Sequence, residues 1–416
     1  MPLRQRRLAG LLEFLHTVDT RACALPARLE TPTMTAAPHF PQAPPGALLQ
    51  SPLHSLHLEL GARMVPFAGY HLPVQYPAGL MAEHAHTRSA ASLFDVSHMG
   101  QLRLVGLDTA AALESLMPMD LLDLPVNRQR YGLLLNDEAG ILDDLMLVNR
   151  GNDFLLVVNG ACKHADLAHL QAHIGARCEI TPLGEQALLA LQGPLAASVL
   201  QQLVPGVQEL LFMDGAAFVW EGSELYITRS GYTGEDGFEI SLPGPLAEAF
   251  ARTLLNHAEV APAGLGARNS LRLEAGLCLY GHELDDHTTP AEAGLQWAVQ
   301  KVRRADGARA GGFPGAERLL AQIADPALRA RQRVGLRALQ RVPVREPATL
   351  HDPEGRLIGQ VTSGLLSPTL DQPIAQAYVE SAHAAVGALV QARVRDKPVP
   401  MQVTALTFVP SHYHRG

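Results

Sequence analysis

Two adjacent carboxylates, Asp143 and Asp144, interrupt the otherwise apolar run Gly140-Ile141-Leu142-Asp143-Asp144-Leu145-Met146-Leu147-Val148. A carboxylate is costly to bury unless it is paired or hydrogen-bonded. Such a pair beside an apolar strand reads either as a structural cap or as a site for charge and proton handling. Tyr131 lies upstream and Asn159 closes Leu156-Val157-Val158-Asn159, each a polar tip in an apolar setting. Three such interruptions within about thirty residues point to a polar-lined cavity.

Other chemistries find less support. The loop Gly231-Tyr232-Thr233-Gly234-Glu235-Asp236-Gly237 superficially resembles a phosphate-binding glycine loop, but a strand follows it where a dinucleotide fingerprint needs a helix. A tight connection between strands, with glycines supplying positive φ, is expected there. His169 and His173 stand four apart on an amphipathic helix without a Glu after the first, and His84 and His86 are two apart, so no metal site is expected. There is no GxSxG, and Cys278 in Leu277-Cys278-Leu279 reads as a buried thiol.

The elements that must position these groups can be read in outline. Ala187–Leu191 is a short apolar strand, followed by Gly193-Pro194 and a helical pattern through Leu203; Phe238–Leu242 alternates like a half-buried strand, followed by Gly244-Pro245 and a helical pattern through Leu255. Strand, Gly-Pro, helix thus occurs twice, which suggests an α+β domain of the split β-α-β type rather than a doubly wound parallel sheet. Leu225–Thr228 is a strand by β-propensity. Residues 303–316, with Gly307, Gly311, Gly312 and Pro314, read as a linker or exposed loop. Beyond them, short strands at 334–336, 359–362, 375–379, 390–394 and 401–403 suggest a small C-terminal barrel or sandwich.

With 416 residues, two or three domains are expected. A net charge of −8 argues against nucleic acid or an anionic membrane as the main partner. Cys23, Cys162, Cys178 and Cys278 are scattered and form no CxxC, as expected of reduced thiols. No stretch approaches the roughly 18 apolar residues of a membrane helix, and a soluble protein is expected. Residues 1–50 differ from the rest: Arg4, Arg6, Arg7, Arg21 and Arg28 precede the proline-rich stretch Pro38–Pro45. They read as a disordered tail or an overcalled start with Met34 as initiator, in a cytoplasmic protein. A transit peptide over residues 1–33 would place it in the mitochondrial matrix, but Glu13, Asp19 and Glu30 weigh against that.

From about residue 51 to 413 the chain resembles the aminomethyltransferase, or T protein, family of the glycine cleavage system. The resemblance rests on Gly61–Val65, Phe94–Gly100, Gly140–Leu145, Gly231–Gly237, Gly264–Arg268, Leu271–Gly276, Val361–Gly364 with Ser367–Leu370, and Phe408–Pro410, in order and at family-like spacing. It implies three domains around a central folate channel: two interleaved α+β domains over 51–305 and a β-barrel over 330–413. It implies transfer of an aminomethyl group from the lipoyl arm of H protein to tetrahydrofolate, with the P and L proteins as indirect partners and no metal. It assigns Asp144 as the catalytic aspartate, with Asp143 in support. Glu239 would take the pterin, with Tyr232 nearby, Arg268 and Tyr413 would bind substrate, and Tyr131 and Asn159 would line the channel.

Four departures from the family pattern bear on fine geometry. Asn269 stands where Asp is frequent and would deprive Arg268 of a partner charge. Pro66 and Tyr70 replace Asp and Trp, and Asp371 replaces a Gly in a C-terminal turn. Three alternatives remain: a folate domain of the dimethylglycine or sarcosine oxidation type, a folate-binding factor for iron–sulfur or tRNA maturation, and an inactive homologue. The absence of a flavin fingerprint, the missing Lys-Gly-Cys step near Ala275-Gly276-Leu277-Cys278, and the intact Asp144 respectively count against them.

Overall fold

Alternation and turn residues sort the chain into three large β-systems, each with its own apolar core, and a small three-stranded sheet ordered Leu49–Gln50, Tyr70–Gln75, Arg63–Phe67. A computed structural model describes residues 39–44 and 46–416. Of the expected 1–50 tail, residues 1–38 lie outside the described residues, and with them Cys23, Met34 and the transit-peptide question. The body starts earlier than expected: Phe40 is buried in an apolar core, and Leu49–Gln50 pair in parallel with Tyr70 and His71.

The first system is a five-stranded sheet ordered Gln129–Leu135, Ile141–Asn149, Phe154–Val158, Gly100–Val105, Glu179–Pro182. Helices Thr109–Glu114 and Lys163–Ile174 belong to it, and Leu102, Leu113, Leu147, Leu156 and Leu170 form its dry interior. The second is a six-stranded sheet ordered Gly215–Trp220, Ser223–Thr228, Gly237–Pro243, Gln186–Gln192, Ala91–Asp95, Val260–Pro262. Both strand–Gly-Pro–helix units belong to it. Gln186–Gln192 and Gly237–Pro243 are antiparallel neighbours, and helices Ala196–Leu203 and Gly244–Leu255 cover a core around Phe238 and Phe250. The chain runs from the second sheet into the first and back, so the two units are interleaved.

The third system is a closed six-stranded barrel in which Arg331–Ala338 pairs with both Gln372–Glu380 and Lys397–Thr404. Leu357–Ser367 runs well beyond the expected 359–362. Thr349–His351 is a strand too short to announce itself. Asp371 holds φ at 49° between two barrel strands and pairs with Arg341, so the turn keeps a glycine-like conformation in spite of the departure. Residues 303–316 are more than a linker: Arg303 is buried and bonded to Glu114, and Phe313 is packed into a core with Leu133 and Ile141.

Helix Leu265–Glu274 joins the barrel to the rest. Glu274 accepts from Ser367 and Thr369 of the barrel and from Arg88, with His84 at 3.2 Å; Arg272 reaches Glu283 and Ser363. Its last turn is held in this way, and at its other end the Gly264 N–H donates to Glu83 at 2.9 Å, so that Arg268 and Asn269 of the helix line one cavity.

Candidate functional site

Period-two alternation sends the two carboxylates to opposite faces of strand Ile141–Asn149. Asp143 is fully buried. It accepts from the Asn159 backbone N–H at 3.0 Å and the Asn159 amide at 2.8 Å, and bonds also to Asp166 and Cys162. Asp144 opens onto a cavity of about 700 Å³. The Tyr131 hydroxyl donates to its Oδ2 at 3.0 Å and the Asn159 amide to its Oδ1 at 2.9 Å. Its hydrogen-bond donors are neutral, and among the described residues no cation forms an ion pair with it. Burial and the Asp143 charge push its carboxyl up to about 7, against the pull of Tyr131 and Asn159.

Glu239 lines the same cavity, on strand Gly237–Pro243. Ser230 donates to it at 3.0 Å, and Ser230 is bonded in turn to Thr228. Burial raises its carboxyl against the opposing pull of Arg268. Arg268 rests 4.6 Å over the Tyr232 ring, and the Tyr232 hydroxyl donates to the Cys278 carbonyl. At another part of the wall Tyr413 stacks on Phe212 with centroids 4.1 Å apart, and the Arg415 guanidinium lies over both rings.

All seven residues expected at the site, Asp144, Glu239, Arg268, Tyr413, Tyr131, Asn159 and Tyr232, lie on this one cavity wall. Their sequence separations are large, so the gathering is a product of the fold. The glycine loop does connect antiparallel strands, but only Gly234 holds a positive φ; a Cβ at Gly231 or Gly237 would collide with the Gln192 side chain. Asn269 does not serve Arg268: its amide oxygen accepts from Arg272 Nε at 2.9 Å. Tyr70 is buried and accepts from Lys163, while Pro66 is exposed on a strand. His169 and His173 lie against one another on a partly exposed helix, and among the described residues no three side chains form a metal-binding group. No helix among them is long and apolar enough to cross a membrane.

Several wall residues escaped sequence reasoning. Trp297, half-exposed, stacks on Tyr131 at 5.2 Å. His98 is buried beside Phe67, and burial holds its imidazole down to about 3, hence neutral. Arg333 is a cation at a buried position in a barrel strand. None of them left a usable signal: Arg333 is one of three arginines in Arg331–Ala338 and its sequence does not set it apart.

Comparison with known proteins gives a consistent result. Residues 53–303 match the family model described as the GCVT N-terminal domain, and residues 331–410 match the glycine cleavage T-protein C-terminal barrel domain. The mitochondrial aminomethyltransferase of Gallus gallus is 44% identical over 385 residues, covering 90% of this chain and 96% of the relative. That of Dictyostelium discoideum is 42% identical over 385 residues, covering 88% and 94%. The crystal structure of the glycine cleavage system aminomethyltransferase T from Bartonella henselae is 43% identical, with a TM-score of 0.83, covering 89% of this chain and all of that one. The chain belongs to the glycine cleavage T-protein family of aminomethyltransferases.

Proposed function

We propose that this chain moves the aminomethyl carbon carried on the lipoyl arm of H protein to tetrahydrofolate. Ammonia is released, 5,10-methylenetetrahydrofolate forms, and the arm is left as dihydrolipoate. The observation that carries the reading is Asp144, a cavity carboxylate with neutral donors, no ion-pair partner among the described residues, and a carboxyl raised to about 7. Carbon leaving sulfur becomes iminium-like, so a fixed carboxylate stabilises the positive charge and can take the proton of the attacking folate amine. Tyr131 and Asn159 hold that carboxylate in place.

Glu239 accepts the adjacent pterin N–H and amino group as a bidentate pair, with Tyr232 beside the ring. Arg268 and Tyr413 hold folate further along the wall, the guanidinium suiting a carboxylate or a polar ring edge. H protein is the direct partner, and P and L proteins act through it. Neither nucleic acid nor membrane has a part. The eukaryotic relatives are mitochondrial aminomethyltransferases, which favours the matrix over the cytoplasm if residues 1–33 act as a transit peptide.

The test supplies aminomethylated H protein and tetrahydrofolate and measures methylenetetrahydrofolate and ammonia. Folate-stimulated release of ammonia is expected. Its absence from the wild-type protein would end the assignment.

A further inference from the structure

We infer that Arg333 receives the sulfur: its guanidinium holds the negative charge that the leaving thiolate acquires when the carbon–sulfur bond of the lipoyl arm breaks. The inference rests on the aminomethyl-transfer reading and adds a group that the reading lacks. Asp144 accounts for positive charge on carbon and for a proton. Nothing in that account receives the electron pair left on sulfur.

The step balances without another reactant. In R–S–CH2–NH2 the nitrogen lone pair forms the C=N bond while the C–S pair departs with sulfur, giving an iminium and a thiolate. Folate N5 then attacks the carbon, and ring closure through N10 expels ammonia. Of the two folate N–H protons, one ends on the thiolate and one on ammonia. An alkyl thiolate is a poor leaving group in an apolar cavity unless a cation or a proton meets it there.

Arg333 is placed for that role. It stands on barrel strand Arg331–Ala338, is 7% exposed, and lines the cavity that Asp144 and Tyr131 also line. Its bonds go to neutral acceptors only: Nε to the Ala293 carbonyl at 2.7 Å, and Nη1 to the Gly276 carbonyl at 3.2 Å and Gln376 Oε1 at 2.8 Å. Among the described residues no carboxylate pairs with it, and Nη2 makes no hydrogen bond. A buried cation normally finds an anion. The neighbouring cavity-wall Arg272 does, in Glu283.

The ionisable groups around Arg333 are Cys278 from the loop after helix Leu265–Glu274, Tyr378 from the adjacent barrel strand, Glu283, and Tyr131. Glu283 is committed to Arg272, Ser363 and Thr362, and Tyr378 donates to the Glu283 carbonyl. Burial raises both phenols and pushes the Cys278 thiol up to about 12, so all three stay neutral. Among the described residues Arg333 therefore has no ion-pair partner of its own, with Glu283 acting on it only from a distance, and it lines the cavity in which Tyr131 meets Asp144. Those neutral neighbours leave the anion to come from the substrate.

The test reads thiolate directly. Reduced lipoyl carrier (H) protein is mixed stoichiometrically with this protein, and the ultraviolet thiolate absorbance is titrated against pH, with carrier alone and enzyme alone as references. Bound to wild type, the arm is expected to be at least about tenfold more ionised at a given pH than on free carrier, because a nearby cation favours the charged form. Arg333→Lys should keep most of that gain. Arg333→Gln should lose it while its tetrahydrofolate dissociation constant stays at the wild-type value.

An arm no more ionised on wild type than on free carrier overturns the inference, whether or not the Gln variant folds. So does a Gln variant whose arm titrates as in wild type. Normal folate-dependent turnover with an unshifted arm removes Arg333 alone. Absence of turnover in wild type removes the transfer reading and this inference with it.

Discussion

Glu274 and Asp144 are two carboxylates taken out of bulk water about 130 residues apart in sequence, and the fold treats them oppositely. Burial raises both. At Glu274 the hydrogen bonds and charge of His84, with Ser367 and Thr369, overcome burial and bring the carboxyl down to about 2; Arg88 adds an ion pair at 2.8 Å. At Asp144 the partners are neutral and the nearest charge is the like charge of Asp143, so the carboxyl rises to about 7. The first region satisfies every oxygen and clamps the barrel to the helix that carries Arg268. The second leaves a carboxylate able to change protonation near neutrality. Strong pairing gives a joint, and withheld pairing leaves the group proposed here to react.

Three substitutions, one of them read in two ways, test that contrast. Asp144→Asn should lower turnover by about 10²–10⁴-fold, the usual scale for a proton-handling group, and leave folate affinity near wild type. Steady-state kinetics with a separate folate titration checks this; undiminished turnover would move the reacting centre elsewhere. Glu274→Gln should destabilise the protein by about 1–3 kcal/mol: Arg88 keeps Glu235 but loses its second anion, and Ser367 and Thr369 lose a charged acceptor. Urea unfolding measures it, and a loss comparable to that of an exposed ion pair would show that the clamp is decorative.

Glu239→Gln should weaken tetrahydrofolate binding by about 10–100-fold, the scale of a buried charged hydrogen bond, with little change in transfer rate at saturating folate. An unaltered dissociation constant takes Glu239 out of the folate site. The smallest effect concerns stability. Because the folded-state value of Asp144 is raised from 3.8 to about 7, the native state holds a proton that the unfolded state has lost across that window, and ionisation costs stability as pH rises through it. Asp144→Asn should therefore be more stable than wild type by about 1–2 kcal/mol near pH 8, with the difference gone near pH 4; the cavity's access to water keeps it below the full value of the shift. A variant less stable than wild type at both values would mean that Asp144 is a structural cap.

One side of this contrast, the acidic pair, is legible in the sequence, as is much of the fold, whereas nothing marks Glu274 as a clamp. The strand–Gly-Pro–helix repeat and the short C-terminal strands are local patterns, and they reappear as neighbouring elements of one sheet and as a closed barrel. By its own spacing the Asp143-Asp144 pair reads more as a cap than as a site; alternation turns the two to opposite faces, Asp143 into the interior and Asp144 onto the cavity. Only the family resemblance separates their roles, in favour of Asp144.

What stayed hidden depends on distant contacts. Nothing in Ala293-Gly294-Leu295-Gln296-Trp297 announces that the indole will stack on Tyr131. Asn269 looked like a missing partner for Arg268, because one turn of helix decides whether it faces that residue or Arg272. The glycines of the loop were credited with φ freedom, whereas two of the three provide room for Gln192. Residues 303–316 carry linker composition, yet the contact of Arg303 with Glu114 ties them across nearly two hundred residues.

The central claim is that the reacting carboxylate has been moved into the neutral range. The pH dependence of single-turnover transfer tests it most directly, with aminomethylated H protein and tetrahydrofolate both saturating. The rate should rise with pH as Asp144 ionises, with a midpoint at about 7 that disappears in Asp144→Asn. A wild-type midpoint in the ordinary carboxylate range, or one that survives the substitution, would contradict it.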